Sequence, residues 1–412
     1  MRLPSDLAVL RLRDFRLVFS ASLVSLVGDG VVPVALSFAV LDLTGSATDL
    51  GLVLASETVA MVGALLVGGV VADRIGRRTV MIGADLARLV SQTTIAALLI
   101  SGHATVAELA VSQALLGAAS GFFNPASSGL LPLLAGERLQ DANALRGMAM
   151  AAGSIAGPAI AGALVVTTSP GVALVIDGAS YAVSALLLAR VRRDDLRLET
   201  QTRFLGDLRA GFREVRSRTW VWSVIVVFAF TNTVASAFPV LGPLIAKQRL
   251  GGAGAWAAIL AFRAIGGLAA GTRLLRARPR RPLLVAVQVG LLAPLPLFLL
   301  AIGAPLVAIV IGALVMGVSG MVFNTLWETT LQQHIDPAAR SRVSSYDWFG
   351  SLALTPVGLA LIGPLATGIG VSGALYLCGA IDVLSVALLL GVHEIRTLPR
   401  LPQQADLADS TG

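Results

Sequence analysis

The sequence is short of charge and of cysteine, and both shortages limit what the protein can be. Charged residues make up only 13% of its 412 residues, whereas soluble chains carry about a quarter. The single cysteine, Cys378, excludes an intramolecular disulfide framework. The three histidines, which are His103, His334 and His393, are scattered and lack metal-ligand spacing. We therefore expect no metal site and no cofactor.

The motifs of several protein classes are missing as well. The sequence contains no Gly-x-x-x-x-Gly-Lys-Ser/Thr loop, so we do not expect the chain to hydrolyse ATP itself. No cluster of acids and no Ser/Lys nucleophile motif indicates a catalytic residue. A passive channel would show rings of like charge or a filter segment, and neither is visible. These absences argue against an enzyme and against a channel.

What the sequence does contain is long apolar runs. Apolar residues make up 56% of the chain, and the mean hydropathy is +0.82. Uncharged runs of about 20 residues are long enough to cross a bilayer as helices. We therefore predict an all-α polytopic membrane protein, with the lipid bilayer as its surroundings. The twelve predicted transmembrane helices lie near 15–41, 50–72, 79–101, 105–126, 144–167, 171–190, 219–245, 254–275, 283–302, 305–326, 343–366 and 371–392.

The basic residues are distributed unevenly along the chain. They fall at the N-terminus, in alternate loops or in the C-terminal tail, except for Arg88 and Arg263 inside spans and Lys247 and Arg249 in the opposite set of loops. Because cytoplasmic loops of membrane proteins are enriched in Lys and Arg, this pattern predicts that both termini are cytoplasmic. It also explains the basic pI of about 10.8 without nucleic-acid binding. The strong preference for arginine over lysine suggests a GC-rich bacterial genome, and we expect the protein in the inner membrane of a bacterium.

The polar segment between the sixth and seventh spans divides the chain. We predict an N-terminal six-helix bundle over 1–190, a cytoplasmic linker over 191–218, a C-terminal six-helix bundle over 219–393 and a disordered cytoplasmic tail over 394–412. The linker is either an amphipathic helix on the membrane surface or a solvated connection. Similar residues recur about 200 positions apart, which predicts two pseudo-symmetric bundles. The matching sets are Gly117, Gly121, Phe123 and Asn124, and Gly317, Gly320, Phe323 and Asn324.

A charged motif follows the second predicted span. Its residues are Gly69, Asp73, Arg74, Gly76, Arg77 and Arg78. Gly69 permits close helix packing, Gly76 a tight turn, and Asp73 an ion pair with arginine. In this loop the sequence resembles the major facilitator superfamily, which implies its twelve-helix fold, alternating access and a gate held by Asp73. We assign Asp85 and Arg88, three residues apart in the third span, to the same inner gate.

The counterpart loop of the second half has Arg276 where the superfamily pattern would place the acid. We therefore expect an asymmetric gate.

Small residues four apart mark the fifth predicted span. They are Gly153, Gly157 and Gly162, with Pro158 between them. Such spacing lets two helices approach closely, and Pro158 bends its helix. The pattern resembles the antiporter motif of the superfamily, although Ala161 replaces a usual glycine, and it favours export. The Gly28–Asp29 pair, the end of the fourth span at 122–126 and the Asp85/Arg88 pair further make the chain similar to the twelve-helix proton-coupled exporters of drugs, macrolides and siderophores.

Polar side chains inside the spans are the candidates for coupling and for the substrate path, since a charge near the bilayer centre is expensive. Asp29 is the first candidate for proton coupling and Glu57 the second. Hydrogen bonding between helices is the alternative explanation for each Ser, Asn or Gln among the substrate-path candidates. Those candidates are Ser25, Gln113, Asn124, Asn232, Arg263 and Asn324.

The expected function is secondary active transport. We predict proton-coupled efflux of a hydrophobic or amphipathic small molecule, such as a drug, an antibiotic or a siderophore, by a monomer. An importer of a small metabolite with the same fold is one alternative. A polytopic membrane enzyme is the alternative from a different class.

Overall fold

A computed structural model of the chain describes residues 9–192, 211–274, 277 and 279–401, and all regular secondary structure in these ranges is helical. In the first half, the helices are α1 (Arg13–Asp29), α2 (Val32–Thr44), α3 (Ala47–Ile75), α4 (Arg77–Ser101), α5 (Val106–Ala135), α6 (Leu139–Thr167) and α7 (Pro170–Ala189). In the second half, the longer helices are α8 (Thr219–Ala235), α9 (Ala237–Ile245), α10 (Ala253–Leu274), α11 (Pro282–Gly290), α12 (Leu295–Ala301), α13 (Leu306–His334), α14 (Pro337–Leu352), α15 (Thr355–Ile369) and α16 (Val371–Leu388).

Within these ranges, eleven helical stretches are long and apolar enough to cross a membrane. The remaining predicted span, the third (79–101), corresponds to α4, which has 25 residues. Its charges, which include Asp85 and Arg88, explain why hydropathy alone does not select it. Every predicted span therefore coincides with helical structure, and the all-α membrane fold is confirmed.

Four predicted spans, the first, seventh, ninth and eleventh, are each broken into two helices. The first breaks at Gly30 and Val31 and the seventh at Ser236. A proline follows each of these two breaks, Pro33 in α2 and Pro239 in α9. Because proline has no backbone N–H, it cannot continue the hydrogen-bond ladder to the residue four positions earlier. Both prolines line the cavity described below.

Two helices continue well past their predicted spans. The α5 helix reaches Ala135 although it contains Pro125 and Pro132, and α13 reaches His334. Hydropathy marks where a segment leaves the apolar region, and it does not mark where the helix ends. The polar sequence at the end of α13 therefore remains helical.

The chain divides into two compact units. Unit 1 comprises Met1–Thr200, Ser236–Ala264 and Thr355–Ala374, and unit 2 comprises Gln201–Ala235, Ile265–Leu354 and Leu375–Gly412. Two segments of the predicted C-terminal bundle thus belong to unit 1, so the units differ from the predicted halves.

The division into two six-helix bundles remains a prediction. Most of the predicted linker and tail, 193–210 and 402–412, as well as Arg276 in the counterpart loop, lie outside the described residues. In the rest of the linker, 211–216 are helical.

Each unit has its own core. In unit 1, a buried cluster around Phe15, Met81 and Leu130 joins the ends of the helices near the Asp73 loop. In unit 2, the buried cluster contains Trp220 and Trp327, whose ring centroids are 5.5 Å apart.

Candidate functional site

A cavity of about 610 Å³ lies inside unit 1. Its walls come from α1 to α7, α9 and α10, and more than half of the lining residues are apolar. This volume falls in the usual range for sites that bind drug-sized ligands, about 300–1,000 Å³. Four lining residues are ionisable acids or bases: Asp29, Glu57, Arg88 and Arg263.

Asp29 is positioned by the packing of α1 against α7. The contact is close at Gly28, where a side chain would collide with Ser180 and Asp177. This approach brings the buried Tyr181 beside Asp29, and the Tyr181 hydroxyl donates to Asp29 Oδ1 at 2.6 Å. Sequence reasoning missed Tyr181, because nothing along the chain indicates which aromatic residue faces α1.

The small residues of α6 hold the other side of α1. A side chain at Gly153 would collide with the backbone of Leu26, and one at Gly157 with the backbone of Gly30. Pro158 lines the cavity next to this contact. The fifth-span motif therefore fixes the backbone on both sides of Asp29.

Arg88 is paired with one acid and lies against two aromatic rings. Its Nη1 lies 3.5 Å from Asp85 Oδ1, and both side chains are almost fully buried. Its guanidinium lies 4.5 Å from the centre of the Phe123 ring and 5.4 Å from that of Tyr181. Cations over aromatic faces are attracted by the ring quadrupole. Arg88 therefore lies against the ring that donates to Asp29.

The placement of Arg88 corrects one expectation. The sequence assigned Asp85 and Arg88 to the gate alone, and the pair does form. Arg88 nevertheless lines the cavity, while Asp85 accepts from Ser184 at 2.6 Å behind it. Hydropathy and i,i+3 spacing predict the pair, but they do not show which helix face meets the cavity.

Glu57 is brought to the cavity by the contact between α3 and α5. A side chain at Gly117 would collide with the backbone of Glu57, so the glycine allows the two helices to touch there. Unlike Asp29, the Glu57 carboxylate has no hydrogen bond or ion pair to any described residue. The same holds for the Asn124 amide, which is exposed in the cavity wall.

Aromatic residues form another part of the wall. Phe238 and Trp256 are buried, with ring centroids 4.9 Å apart. Trp256, Leu260 and Arg263 all line the cavity, as expected for positions i, i+4 and i+7 on one face of α10. The α10 helix thus presents a ring, an aliphatic side chain and a cation to the cavity.

The remaining substrate-path candidates lie elsewhere. Ser25 and Gln113 are buried in unit 1 and are absent from the lining. Neither polar atom of the Gln113 amide has a partner in the described part of the chain. Asn232 and Asn324 belong to unit 2, where Asn232 Nδ2 donates to the Ser351 carbonyl at 2.9 Å.

The charged loop motif has a defined structure. Asp73 Oδ1 and Arg77 Nη2 are 3.1 Å apart, and Arg77 also donates to the carbonyl of Gly129 on α5. Arg78 donates to the carbonyls of Leu188 and Ala189, which end α7. The motif therefore joins the start of α4 to two neighbouring helices.

The glycines of this motif behave differently from one another. Gly76 has φ 109°, a region that favours glycine, and separates α3 from α4. Gly69 was expected to allow close helix packing, but a side chain there would meet nothing within 4 Å. The close contact lies one residue earlier, where Gly68 packs on the backbone of Gly121. Arg74 is exposed.

The opposite end of unit 1 carries short, arginine-free turns such as Gly45–Ser46 and Thr168–Ser169, and we call it the short-loop end. Here α3 packs directly on α15, since a side chain at Gly51 would collide with the Leu359 carbonyl. Gly162 packs on Ala257 of α10.

An ion pair accompanies this packing. Lys247 Nζ donates to Asp42 Oδ1 and to the Leu41 carbonyl, each at 2.6 Å. Segments from both halves of the sequence therefore close the short-loop end.

Comparison with known proteins identifies the family. The family model of the Major Facilitator Superfamily matches residues 18–349. The chain belongs to the Major Facilitator Superfamily. It is 30% identical to the multidrug efflux pump Tap of Mycolicibacterium fortuitum over 423 residues, which cover 95% of this chain and 97% of Tap. It is 29% identical to the enterobactin exporter EntS of Escherichia coli O81 (strain ED1a) over 415 residues, which cover 96% of each chain.

The fold also agrees with that of a solved transporter structure at much lower identity. A crystal structure of a mutant of the nucleoside transporter NupG has a TM-score of 0.76 at 12% identity, and the match covers 92% of this chain and 99% of NupG. This likeness supports the fold alone. With the family model and the two exporters, it makes the protein a multi-pass membrane transporter of small molecules. The membrane enzyme alternative is thereby excluded.

Proposed function

We propose that the protein exports a hydrophobic or amphipathic small molecule in exchange for protons. The observation that carries this proposal is the cavity with Asp29 and Glu57 in its wall, far along membrane-spanning helices. Carboxylates inside membrane spans commonly mark ion and proton pathways. Support for the export direction comes from the names of the two relatives, an efflux pump and an exporter.

Coupling follows if protons and substrate compete for the same carboxylates. A proton on Asp29 or Glu57 removes the negative charge that would attract a cationic or hydrogen-bond-donating part of the substrate. Binding of the substrate then favours proton release, and proton binding favours substrate release. The Tyr181 hydroxyl holds the Asp29 carboxylate in one orientation. Arg88 lies against the Tyr181 ring, but it is paired with Asp85, so its charge does not fully neutralise Asp29.

Alternating access lets protons and substrate exchange on opposite sides of the membrane, and the proton gradient sets the direction. The proposed orientation places the arginine-rich loops and both termini in the cytoplasm of a bacterial cell, following the distribution of arginines. The packed short-loop end is then the outer gate, and the Asp73–Arg77 loop is the inner gate. Movement of helices around the fixed cavity exposes it to one side at a time.

The test uses purified protein in proteoliposomes and the cationic dye rhodamine B ethyl ester as the probe. We expect an imposed pH gradient to drive dye accumulation without ATP. In Asp29→Asn, gradient-driven accumulation should be lost while dye exchange without a gradient persists, because the site can bind substrate but no longer carries the proton. Asp141→Asn, outside the cavity lining, is the matched control and should behave as wild type.

The outcome separates the alternatives. Loss of both activities would make Asp29 a binding or folding residue, and retention of both would move the coupling role to Glu57. Accumulation that follows the proton gradient in the same direction would favour the importer.

A further inference from the structure

Arg263 differs from the other cation of the cavity. Arg88 has its own acid, Asp85, at 3.5 Å. Arg263 also lines the cavity, yet it has no hydrogen bond or ion pair to any residue in the described part of the chain. Its neighbours on the cavity face of α10, Trp256 and Leu260, offer no acceptor oxygen in their side chains.

The Arg263 side chain is exposed to the cavity and is not packed in the protein interior. Arginine remains protonated in proteins, so this part of the cavity wall carries a positive charge. Charge-assisted hydrogen bonds from a guanidinium to a carboxylate are stronger than hydrogen bonds between neutral groups. The N–H donors of Arg263 therefore suit an anionic group that arrives with the substrate.

The two carboxylates of the cavity define a second requirement. Asp29 and Glu57 lie on α1 and α3, whereas Arg263 lies on α10. Exchange of substrate for protons at these carboxylates requires a substrate group that binds the carboxylate in place of the proton. A cationic group binds a carboxylate most strongly. An anion alone would have the opposite effect, because it would bind best when the carboxylates are protonated.

More than half of the residues that line the cavity are apolar. Leu36, Leu54, Met61 and the Phe238 ring line the same cavity. They fit the hydrocarbon or aromatic body of a molecule, and the cavity volume of about 610 Å³ accommodates one of drug size.

We infer that the transported substrates carry both charges, with a cationic group that meets Asp29 or Glu57 and a carboxylate or similar planar anion that meets Arg263. The fork of N–H donors on Arg263 matches such an anion in a bidentate arrangement. The inference rests on the proposed proton exchange and specifies the substrate class of the same cavity.

Two pairs of probes, each an acid and its ester, test this inference by equilibrium binding to the purified protein. The first pair is rhodamine B and its ethyl ester, and the second is ciprofloxacin and its ethyl ester. Within each pair only the acid carries both charges, while the apolar body is the same. We expect wild type to bind each acid at least about tenfold more tightly than its ester, as a charge-assisted hydrogen-bond pair allows.

Variants of α10 assign this preference to Arg263. In Arg263→Gln the acid should bind no better than the ester, and Arg263→Lys should keep part of the preference. Arg273→Gln, an exposed arginine on the same helix, is the control. Leu260→Glu provides a second test if Arg263→Gln fails to fold. It gives Arg263 an internal acid at i−3 and should abolish the preference, whereas Leu260→Gln should not.

Two results would overturn the inference. One is wild-type protein that does not prefer the acid in either pair. The other is a preference that survives in Arg263→Gln or Leu260→Glu. Gradient-driven transport of the ester by wild type requires no anion on the substrate, so the proposed function can stand when this inference fails.

Discussion

Phe123 and Phe323 lie 200 residues apart at matching positions of α5 and α13, yet they pack against different partners. Phe123, in unit 1, lies under the Arg88 guanidinium at 4.5 Å. Phe323, in unit 2, stacks on Phe228 with centroids 4.2 Å apart. The same residue type therefore supports a buried charge in one unit and an apolar core in the other.

The buried acids of the two units also have different hydrogen-bond partners. In unit 1, the buried acids Asp85 and Asp177 accept hydrogen bonds from Ser184 and Gln92. In unit 2, Asp347 accepts from the buried Trp327 indole at 2.8 Å, within an aromatic cluster. The four charged residues that line the cavity, Asp29, Glu57, Arg88 and Arg263, all belong to unit 1. The predictions below compare matched changes in the two units.

The largest effect is expected at Arg88. Arg88→Met removes the cation paired with Asp85 and leaves a buried acid without its partner, which should cost about 3–5 kcal/mol of stability and abolish transport. The matched change Phe228→Leu should cost about 1 kcal/mol and leave most transport intact. Thermal unfolding in detergent and dye transport in proteoliposomes measure both. Equal losses of stability and of transport in the two variants would contradict the proposed difference between the units.

The next effect concerns two ion pairs of the same spacing. Asp73→Asn breaks the pair with Arg77 in unit 1, and Glu214→Gln breaks the pair with Arg218 in unit 2. Neither should change stability by more than about 1 kcal/mol, because all four side chains are partly exposed. Transport should fall about tenfold or more only in Asp73→Asn, where the pair biases a gate. Unchanged transport by Asp73→Asn would refute the gate assignment.

Two glycine substitutions come third. Gly157→Leu should overfill the contact with Gly30 and displace Asp29, and we expect transport to fall severalfold. Gly320→Leu in unit 2 places the same side chain where nothing lies within 4 Å. It should have little effect on transport. Both proteins should insert normally, since leucine favours the bilayer. A fully active Gly157→Leu protein would contradict the close packing of α6 on α1.

The smallest effect is expected from single hydroxyl groups. Ser184→Ala removes the 2.6 Å hydrogen bond to Asp85, and Ser351→Ala removes a 3.5 Å contact with Asp347. The first should lower stability by about 1 kcal/mol and the second by less. Transport should fall measurably only in Ser184→Ala. A larger loss in Ser351→Ala would show that unit 2 carries coupling groups as well.

Much of the fold was predictable, because hydropathy and the placement of arginines depend on the bilayer alone. All twelve spans were located in this way. The breaks at Gly30 and Ser236 were not predicted, although Pro33 and Pro239 explain them, since proline in a membrane helix is often tolerated.

The site was only partly predictable. Asp29, Glu57, Asn124 and Arg263 were found because polar residues inside spans are rare. Tyr181 was missed, because a tyrosine in a span carries no such signal. Whether Gly68 or Gly69 packs on α5 depends on the rotation of α3 about its axis. The sequence does not determine this rotation, because the neighbouring helices contain many small residues.

The central claim is that substrate and protons compete at the carboxylates of the unit 1 cavity. It is tested most directly by measuring proton release when rhodamine B ethyl ester is added to purified protein in weakly buffered detergent solution. We predict that wild type releases protons on binding, that Asp29→Asn releases fewer, and that the double variant Asp29→Asn/Glu57→Gln releases none. Binding without proton release by wild type, across the pH range in which the protein is folded, would contradict the account.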